Sequence, residues 1–325
     1  MTASSGSRID RYSVILVAVA ATMWASDAYF RNQLIKHLSP TEIVVAEDAL
    51  VALFLLPVLI RSWHEVRGLG PRGWLAVGLI AVGAQSLATI LFTASFSYQM
   101  YAETFVLQQT QPVIAIVLAW IVLGERRRPW FWPAAAVAVL AVYLVVFAQD
   151  PTAPVSALQK GRVEAGLLAL GAAALWASGT VLGRFALSSI SFWSMTSLRF
   201  TLALPVLVVI VVVQYGASGF SHYQVSDLFP NLLAIALVPG LLALLIYYRA
   251  LSRTPASLAT IAELAYPVAA TLIASAPPPW GFNQPLYPMQ VAGTVLLLAV
   301  IVVLNWSKEK APPVVQAIAL KPAEG

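Results

Sequence analysis

At 325 residues, 60% of them hydrophobic and only 10% charged, with a mean hydropathy of +0.81, the chain is far more apolar than a soluble domain, in which about 25% of residues are charged. Its 19 basic and 14 acidic side chains cannot cover the surface of a soluble protein of this size, which leaves a polytopic membrane protein. The absence of cysteine excludes disulfides, thiolate metal sites and cysteine nucleophiles, and His37, His64 and His222 fall in separate inter-helical stretches, against a histidine metal centre.

A hydrocarbon core about 30 Å thick needs about 20 apolar residues per helix. Breaking the chain at charged and Gly/Pro clusters predicts an all-α fold of ten spans, over 12–30, 41–60, 73–95, 102–121, 131–148, 164–183, 193–214, 229–250, 256–275 and 288–305. Residues 1–11 form an N-terminal segment. Arg8 and Arg11 precede the first run as they would a signal peptide, but an internal repeat argues that this run is retained as a span. The stretch 149–163, with Pro151 and Pro154, reads as a linker. The Pro- and Ala-rich tail over 306–325 has no pattern that could pack and is read as disordered.

Basic loops stay cytoplasmic. With the N-terminus inside, Arg8, Arg11, Arg61, Arg67, Arg72, Arg126, Arg127, Arg128, Arg184, Arg253, Lys308, Lys310 and Lys321 fall inside, thirteen residues against four outside: Arg31, Lys36, Lys160 and Arg162. Both termini are therefore expected in the cytoplasm, in the plasma (inner) membrane. The net charge of +5 reflects this asymmetry and not nucleic-acid affinity, and Arg126–Arg128 reads as a topology anchor.

The two halves repeat. Trp24-Ala25-Ser26 recurs 152 residues later as Trp176-Ala177-Ser178, and the same offset carries Ser39 onto Ser191 and Glu47 onto Arg199. At an offset of 155, Ser97 falls on Ser252, Ala102 on Ser257, Pro112 on Pro267 and Pro133 on Pro288. A unit of five spans is odd, so its second copy inserts upside down, giving inverted repeats over 12–148 and 164–305.

Several stretches carry a family resemblance: Ala250-Leu251-Ser252-Arg253-Thr254-Pro255-Ala256 before span nine, Gln111-Pro112 in span four, Leu123-Gly124-Glu125-Arg126 closing it, and Trp24 and Trp176 in the first helix of each half. In their order and spacing these resemble the drug/metabolite transporter superfamily, EamA type. The resemblance implies ten helices in two halves, a substrate cavity between them and alternating access; many such proteins export amino acids or other small metabolites. The chain departs from the pattern in two places. Glu47-Asp48 stands where an arginine is usual, the second half keeping Arg199-Phe200, and Ala276-Pro277-Pro278-Pro279-Trp280 replaces the expected Gly-Glu after span nine.

A charge at helix centre costs about 2.5–3.5 kcal/mol on the insertion scale, yet Asp27, Glu47, Asp48, Arg199 and Glu263 all lie within spans, which marks them as site candidates facing a wet cavity or one another. Glu42 and Glu103 sit near span ends and read as interfacial, and Arg249 as snorkelling to the surface. Equal depths in the inner leaflet predict that Arg199 and Glu263 approach within salt-bridge or one-water distance. Of the adjacent Glu47 and Asp48, the register with Arg199 favours Glu47 as the cavity site. Span four carries Thr104, Gln108 and Gln111 on one face, and span nine repeats the stripe as Thr260, Glu263 and Tyr266. Beside these stripes Pro112 and Pro267 free a backbone carbonyl for substrate or water. Trp24 and Asp27 share a face of span one and could serve one ligand, with Trp176 in the equivalent place of the second half.

No Gly-x-x-x-x-Gly-Lys-Ser/Thr loop is present, so the expected function is secondary transport, with the lipid bilayer and a small-molecule solute as partners and no cofactor. Glu47, Asp48 and Glu263 are candidates for proton coupling, and the excess of acid over base favours cationic or zwitterionic solutes, amino acids among them, moved outward. A lipid flippase or regulatory scaffold is the alternative. A membrane-embedded enzyme is disfavoured because no histidine lies in a span to serve Ser86, Ser95 or Ser178 as base.

Overall fold

The computed structural model of the chain describes residues 6–34, 37–96, 108, 110–148, 152, 163–220, 223, 228–278, 281, 283 and 285–306. Among them run ten apolar helices: α1 (Gly6–Ala25, continued past Ser26 as Asp27–Leu34), α2 (Pro40–Arg61), α3 (Pro71–Leu79, Ile80–Leu87 and Ala88–Phe96), α4 (Gln111–Leu123), α5 (Phe131–Val146), α6 (Val163–Ala186), α7 (Phe192–Tyr215), α8 (Phe229–Ile235, Ala236–Leu242 and Ala243–Leu251), α9 (Ala256–Ala262 and Ala265–Ser275) and α10 (Pro288–Trp306). Seven are long and apolar enough to cross a membrane; α4, α5 and α10 are shorter apolar helices. The predicted start of span four with Glu103 and Thr104, nearly all of the predicted linker, and the predicted tail past residue 306 lie outside the described residues. Leu53, Ile60, Leu75, Ile121, Val213 and Val295 are exposed, the outward apolar surface that a hydrocarbon solvent accepts and water does not.

The repeat is visible in local geometry. Ser39 and Ser191 are the N-caps of α2 and α7, with the same φ of −68° and ψ of 158°. Ser39 completes a capping box with Glu42, while Ser191 caps the backbone N–H of Ser194. α3 and α8 each widen into a π-helical stretch, Ile80–Leu87 and Ala236–Leu242, positions that coincide at the 155-residue offset.

Packing follows the same symmetry. α1 of the first half lies on α8 and α9 of the second, and α6 of the second lies on α3 and α4 of the first. Across the halves α2 also lies on α7, α4 on α9 and α5 on α10, each helix against its own counterpart, and α3 meets α7 as α2 meets α8. Exchanging the halves maps each of these contacts onto itself or onto another, as a two-fold axis in the membrane plane requires, while α1 also touches α10 and α5 touches α9.

α4 ends at Gly124, whose φ of 66° is left-handed and strained for a residue with a Cβ. The Glu125 N–H then bonds back to Ala119 O at 3.1 Å. This turn gives Leu123-Gly124-Glu125 a physical meaning, because it points the Glu125 carboxylate at the first turn of α9, where Ala256 and Ser257 donate to it.

Candidate functional site

Three linked polar groups occupy the region between the halves. The first is built on the break in α1. Its helix stops at Ala25 and resumes at Asp27, and Arg31 one turn on donates from Nε to Asp27 Oδ2 at 2.6 Å and from Nη2 to Asp27 Oδ1 at 2.7 Å. The same Nη2 reaches Glu47 Oε2 on α2 at 3.2 Å. Arg31 therefore continues the helix of the first span, and Asp27 is paired with it. The i,i+4 spacing of Asp27 and Arg31 was the signal in the sequence for this pair.

The second group joins α2, α3, α7 and α8. Asp48 is fully buried and its Oδ1 accepts from Gln85 Nε2 at 2.9 Å. The Gln85 carbonyl oxygen accepts from Arg199 Nε at 2.5 Å, and Arg199 Nη1 donates to Tyr248 Oη at 2.8 Å, its guanidinium lying 5.9 Å from the Tyr248 ring centre. Gln85 sits in the widened turn of α3, whose looser winding carries its amide toward both neighbours.

The third group surrounds Glu263 where α9 is interrupted. Pro267 has no N–H to give the Glu263 carbonyl, and Tyr266 N takes that acceptor at 2.9 Å in a tighter turn. The carbonyl that Pro267 frees is thus already bonded. The Glu263 carboxylate accepts from Tyr247 Oη at 2.7 Å and Thr180 Oγ1 at 3.2 Å on one oxygen, and from Gln111 Nε2 at 3.0 Å on the other. Four helices, α4, α6, α8 and α9, meet on this one carboxylate.

Arg199 and Glu263 form no direct ion pair, though they remain within electrostatic reach: each has its own neutral partners, and among the described residues Arg199 has no carboxylate at ion-pair distance. The tyrosine hydroxyls of α8, which a count of charges overlooks, satisfy both groups and remove the need for a direct bridge.

Aromatic pairs flank these groups. The Trp24 and Tyr247 rings lie 5.0 Å apart at 52°, and Trp176 and Phe92 lie 5.1 Å apart at 61°. Trp24 corresponds to Trp176 in the repeat, and Tyr247 to Phe92. Gln108 is half-buried with its carbonyl oxygen lacking a hydrogen-bond partner, and Tyr266 packs against the core. Gln85, Thr180, Tyr247 and Tyr248, none singled out by sequence, complete the site because uncharged residues in apolar helices carry no insertion penalty large enough to mark them. An apolar groove of about 720 Å³ between α2, α7 and α8, lined by Val45, Ala49, Leu204, Val208 and Phe229, offers a polar solute nothing to bind.

Two more carboxylates tie the halves at the ends of α7 and α9. Glu65 Oε2 accepts from Ser191 N at 2.9 Å and Ser194 Oγ at 2.8 Å. Partial burial pushes the Glu65 carboxyl up, but these hydrogen bonds, with His64 nearby, outweigh it and leave it below the usual value.

The fold and the sequence have known counterparts. One solved crystal structure superposes with a TM-score of 0.71 over 91% of this chain and 97% of its own, at 15% sequence identity. The riboflavin transporter ImpX of Fusobacterium nucleatum subsp. nucleatum is 29% identical over 304 residues, covering 90% of this chain and 96% of that protein. The model of the EamA-like transporter family matches residues 11–147 and again 164–306, once for each half. That double match, on ten apolar helices packed as two exchanged halves, makes the protein a multi-pass membrane transporter of a small-molecule solute and not an enzyme; the chain belongs to the EamA-like transporter family.

Proposed function

We propose that this chain is a secondary transporter of riboflavin or a similar planar, polyhydroxylated metabolite, moved by alternating access between the halves and coupled to protons. The observation that carries this reading is the double role of Tyr247, which packs its tilted ring against Trp24 and donates to Glu263. An aromatic wall is thereby joined to a hydrogen-bonding floor of Glu263, Thr180 and Gln111, with a second wall of Trp176 and Phe92 at the equivalent place. A heteroaromatic ring gains from stacking on such walls, and a polyol chain from exchanging hydrogen bonds with amide and hydroxyl groups. The likeness to a riboflavin transporter over nearly its whole length supports the same class. Trp24, Gln108, Gln111, Trp176, Glu263 and Tyr266 are the proposed substrate residues, and Asp27, Glu47, Asp48 and Arg199 the proposed ionic apparatus. The halves over 12–148 and 164–305 are the proposed moving units. With Arg31 inside the first span the basic-loop asymmetry sharpens, and both termini are proposed to lie in the cytoplasm, in the plasma membrane.

Outward transport of amino acids is the second reading, favoured by the excess of carboxylates, Asp27, Glu47, Asp48 and Glu263 against Arg31 and Arg199. Reconstitution in liposomes decides between them. Riboflavin loaded inside should exchange for labelled riboflavin outside, with amino acids failing to compete; competition by amino acids without riboflavin exchange would select the second reading, and the side from which a pH gradient drives movement gives the direction.

A further inference from the structure

The charges around α2 do not balance, and the imbalance falls on one atom. Asp27, Glu47 and Asp48 face Arg31 from α1 and Arg199 from α7, three carboxylates to two guanidiniums, with neutral Gln85 from α3 and Tyr248 from α8 between them; Glu263 of α9, also within electrostatic reach of Arg199, is held separately by Tyr247, Thr180 and Gln111. Arg31 is shared by Asp27 and Glu47. Arg199 touches no carboxylate and reaches Asp48 only through the Gln85 amide. Asp48 is left fully buried with one neutral donor on Oδ1 and no hydrogen-bond partner on Oδ2.

Resting on the proton-coupled reading above, we propose that Asp48, and not Glu47, is the site that binds the coupling proton, and that Gln85 positions it and transmits its state to Arg199. A proton from water forms an O–H bond at Oδ2 and leaves Oδ1 to Gln85. One bound proton brings the five charged groups to neutrality, and release restores a single negative charge, in a setting where an uncompensated buried charge is costly. The Gln85 amide cannot turn over without losing one end of the link, because its oxygen is held by Arg199 and its nitrogen by Asp48. Loss of the Asp48 charge weakens the Gln85 donation and with it the hold on Arg199. Asp48 and Gln85 belong to the first half and Arg199 to the second, so protonation acts directly on the contact that must loosen for the halves to rock.

The second half has no such relay. The position equivalent to Gln85 is Gly240, and a Cβ there would lie 3.2 Å from Glu47 Oε1. Glu47 packs where a second amide would stand and is fixed by Arg31, which makes it a structural anion.

The test uses purified full-length protein in bilayers. Infrared difference spectra across the physiological pH range should show a carboxylic-acid carbonyl band that appears on acidification, disappears in Asp48→Asn and persists in Glu47→Gln. Gln85→Leu should keep the band and move its midpoint, which a merely structural Gln85 would not do. If Asp48→Asn does not fold, Asp48→Glu should retain a band with a shifted midpoint. Persistence of an unchanged band in Asp48→Asn, or its loss in Glu47→Gln alone, overturns the proposal. In liposomes, the ratio of pH-driven riboflavin accumulation to riboflavin exchange should fall at least about tenfold in Asp48→Asn; an unchanged ratio, or accumulation driven by sodium alone, also overturns it. Failure of the wild type to exchange riboflavin would refute the substrate reading while leaving the infrared result to decide on Asp48.

Discussion

Glu125 and Ser257 meet across the two halves: Ser257 Oγ donates to Glu125 Oε2 at 2.6 Å, and its backbone N–H reaches the same oxygen at 3.1 Å. With Ala256 N donating to the other oxygen at 2.8 Å, a carboxylate of the first half closes the N-terminus of α9 in the second. A negative group there also meets the positive end of the helix dipole.

Glu125→Ala strands two buried backbone donors and a hydroxyl, and should destabilise the protein by about 2 kcal/mol. Glu125→Gln, which keeps an acceptor, should lose about half as much. Thermal unfolding of the purified variants in one detergent checks this order; equal melting temperatures would mean that the cap contributes nothing.

Glu65 makes the same kind of contact at α7 and adds a dependence on pH. Its folded carboxyl lies below the ordinary value near ~4.3, so its contribution is complete above that value and is lost as pH falls through the lower folded one. The difference in melting temperature between wild type and Glu65→Gln should be largest near neutral pH and should close on acidification to about pH 3. A gap that widens in acid would contradict the assignment.

Arg31 is shared by two carboxylates, so its loss should cost more than the loss of either partner. Arg31→Ala leaves Asp27 and Glu47 unpaired and should destabilise by about 3 kcal/mol. Asp27→Asn should cost less, because Glu47 still holds the guanidinium. The double variant Arg31→Ala, Glu47→Gln should recover part of the loss. Unfolding measurements on these proteins and on Glu47→Gln alone test the coupling; strict additivity would show that the contact is energetically idle.

Two glycines set helix spacing. A Cβ on Gly179 would lie 2.5 Å from the Ala84 methyl, holding α6 close to α3, and one on Gly293 would lie 2.6 Å from Ala141 O, holding α10 close to α5. Gly179→Val and Gly293→Val should each lower stability by about 1–3 kcal/mol and reduce the monodisperse fraction on size-exclusion chromatography.

The legible part of this molecule is what repeats or what violates hydropathy. The spans follow from apolar runs, and the inverted plan from Trp24, Trp176, Pro112 and Pro267 recurring at fixed offsets. Asp27, Glu47, Asp48, Arg199 and Glu263 announced themselves as charges inside spans. The apolar run ends just before Arg31 although its helix continues to Leu34, so hydropathy alone puts Arg31 in a loop. Gln85, Tyr247 and Tyr248 escaped because hydroxyls and amides pass unnoticed among apolar neighbours, yet they decide which charges pair. Glu65 and Glu125 bind partners 126 and 131 residues away, a separation over which no local pattern speaks.

Substrate is proposed to bind between the aromatic walls, on the Glu263 floor. Equilibrium binding of riboflavin to the purified protein, followed by flavin fluorescence, tests it most directly. The wild type should bind saturably, with affinity reduced about tenfold or more in Trp24→Ala and in Trp176→Ala, since stacking on one aromatic side chain contributes about 1–3 kcal/mol. Glu263→Gln should weaken binding while leaving the fold intact. Equal affinity in all four proteins would place the substrate site elsewhere.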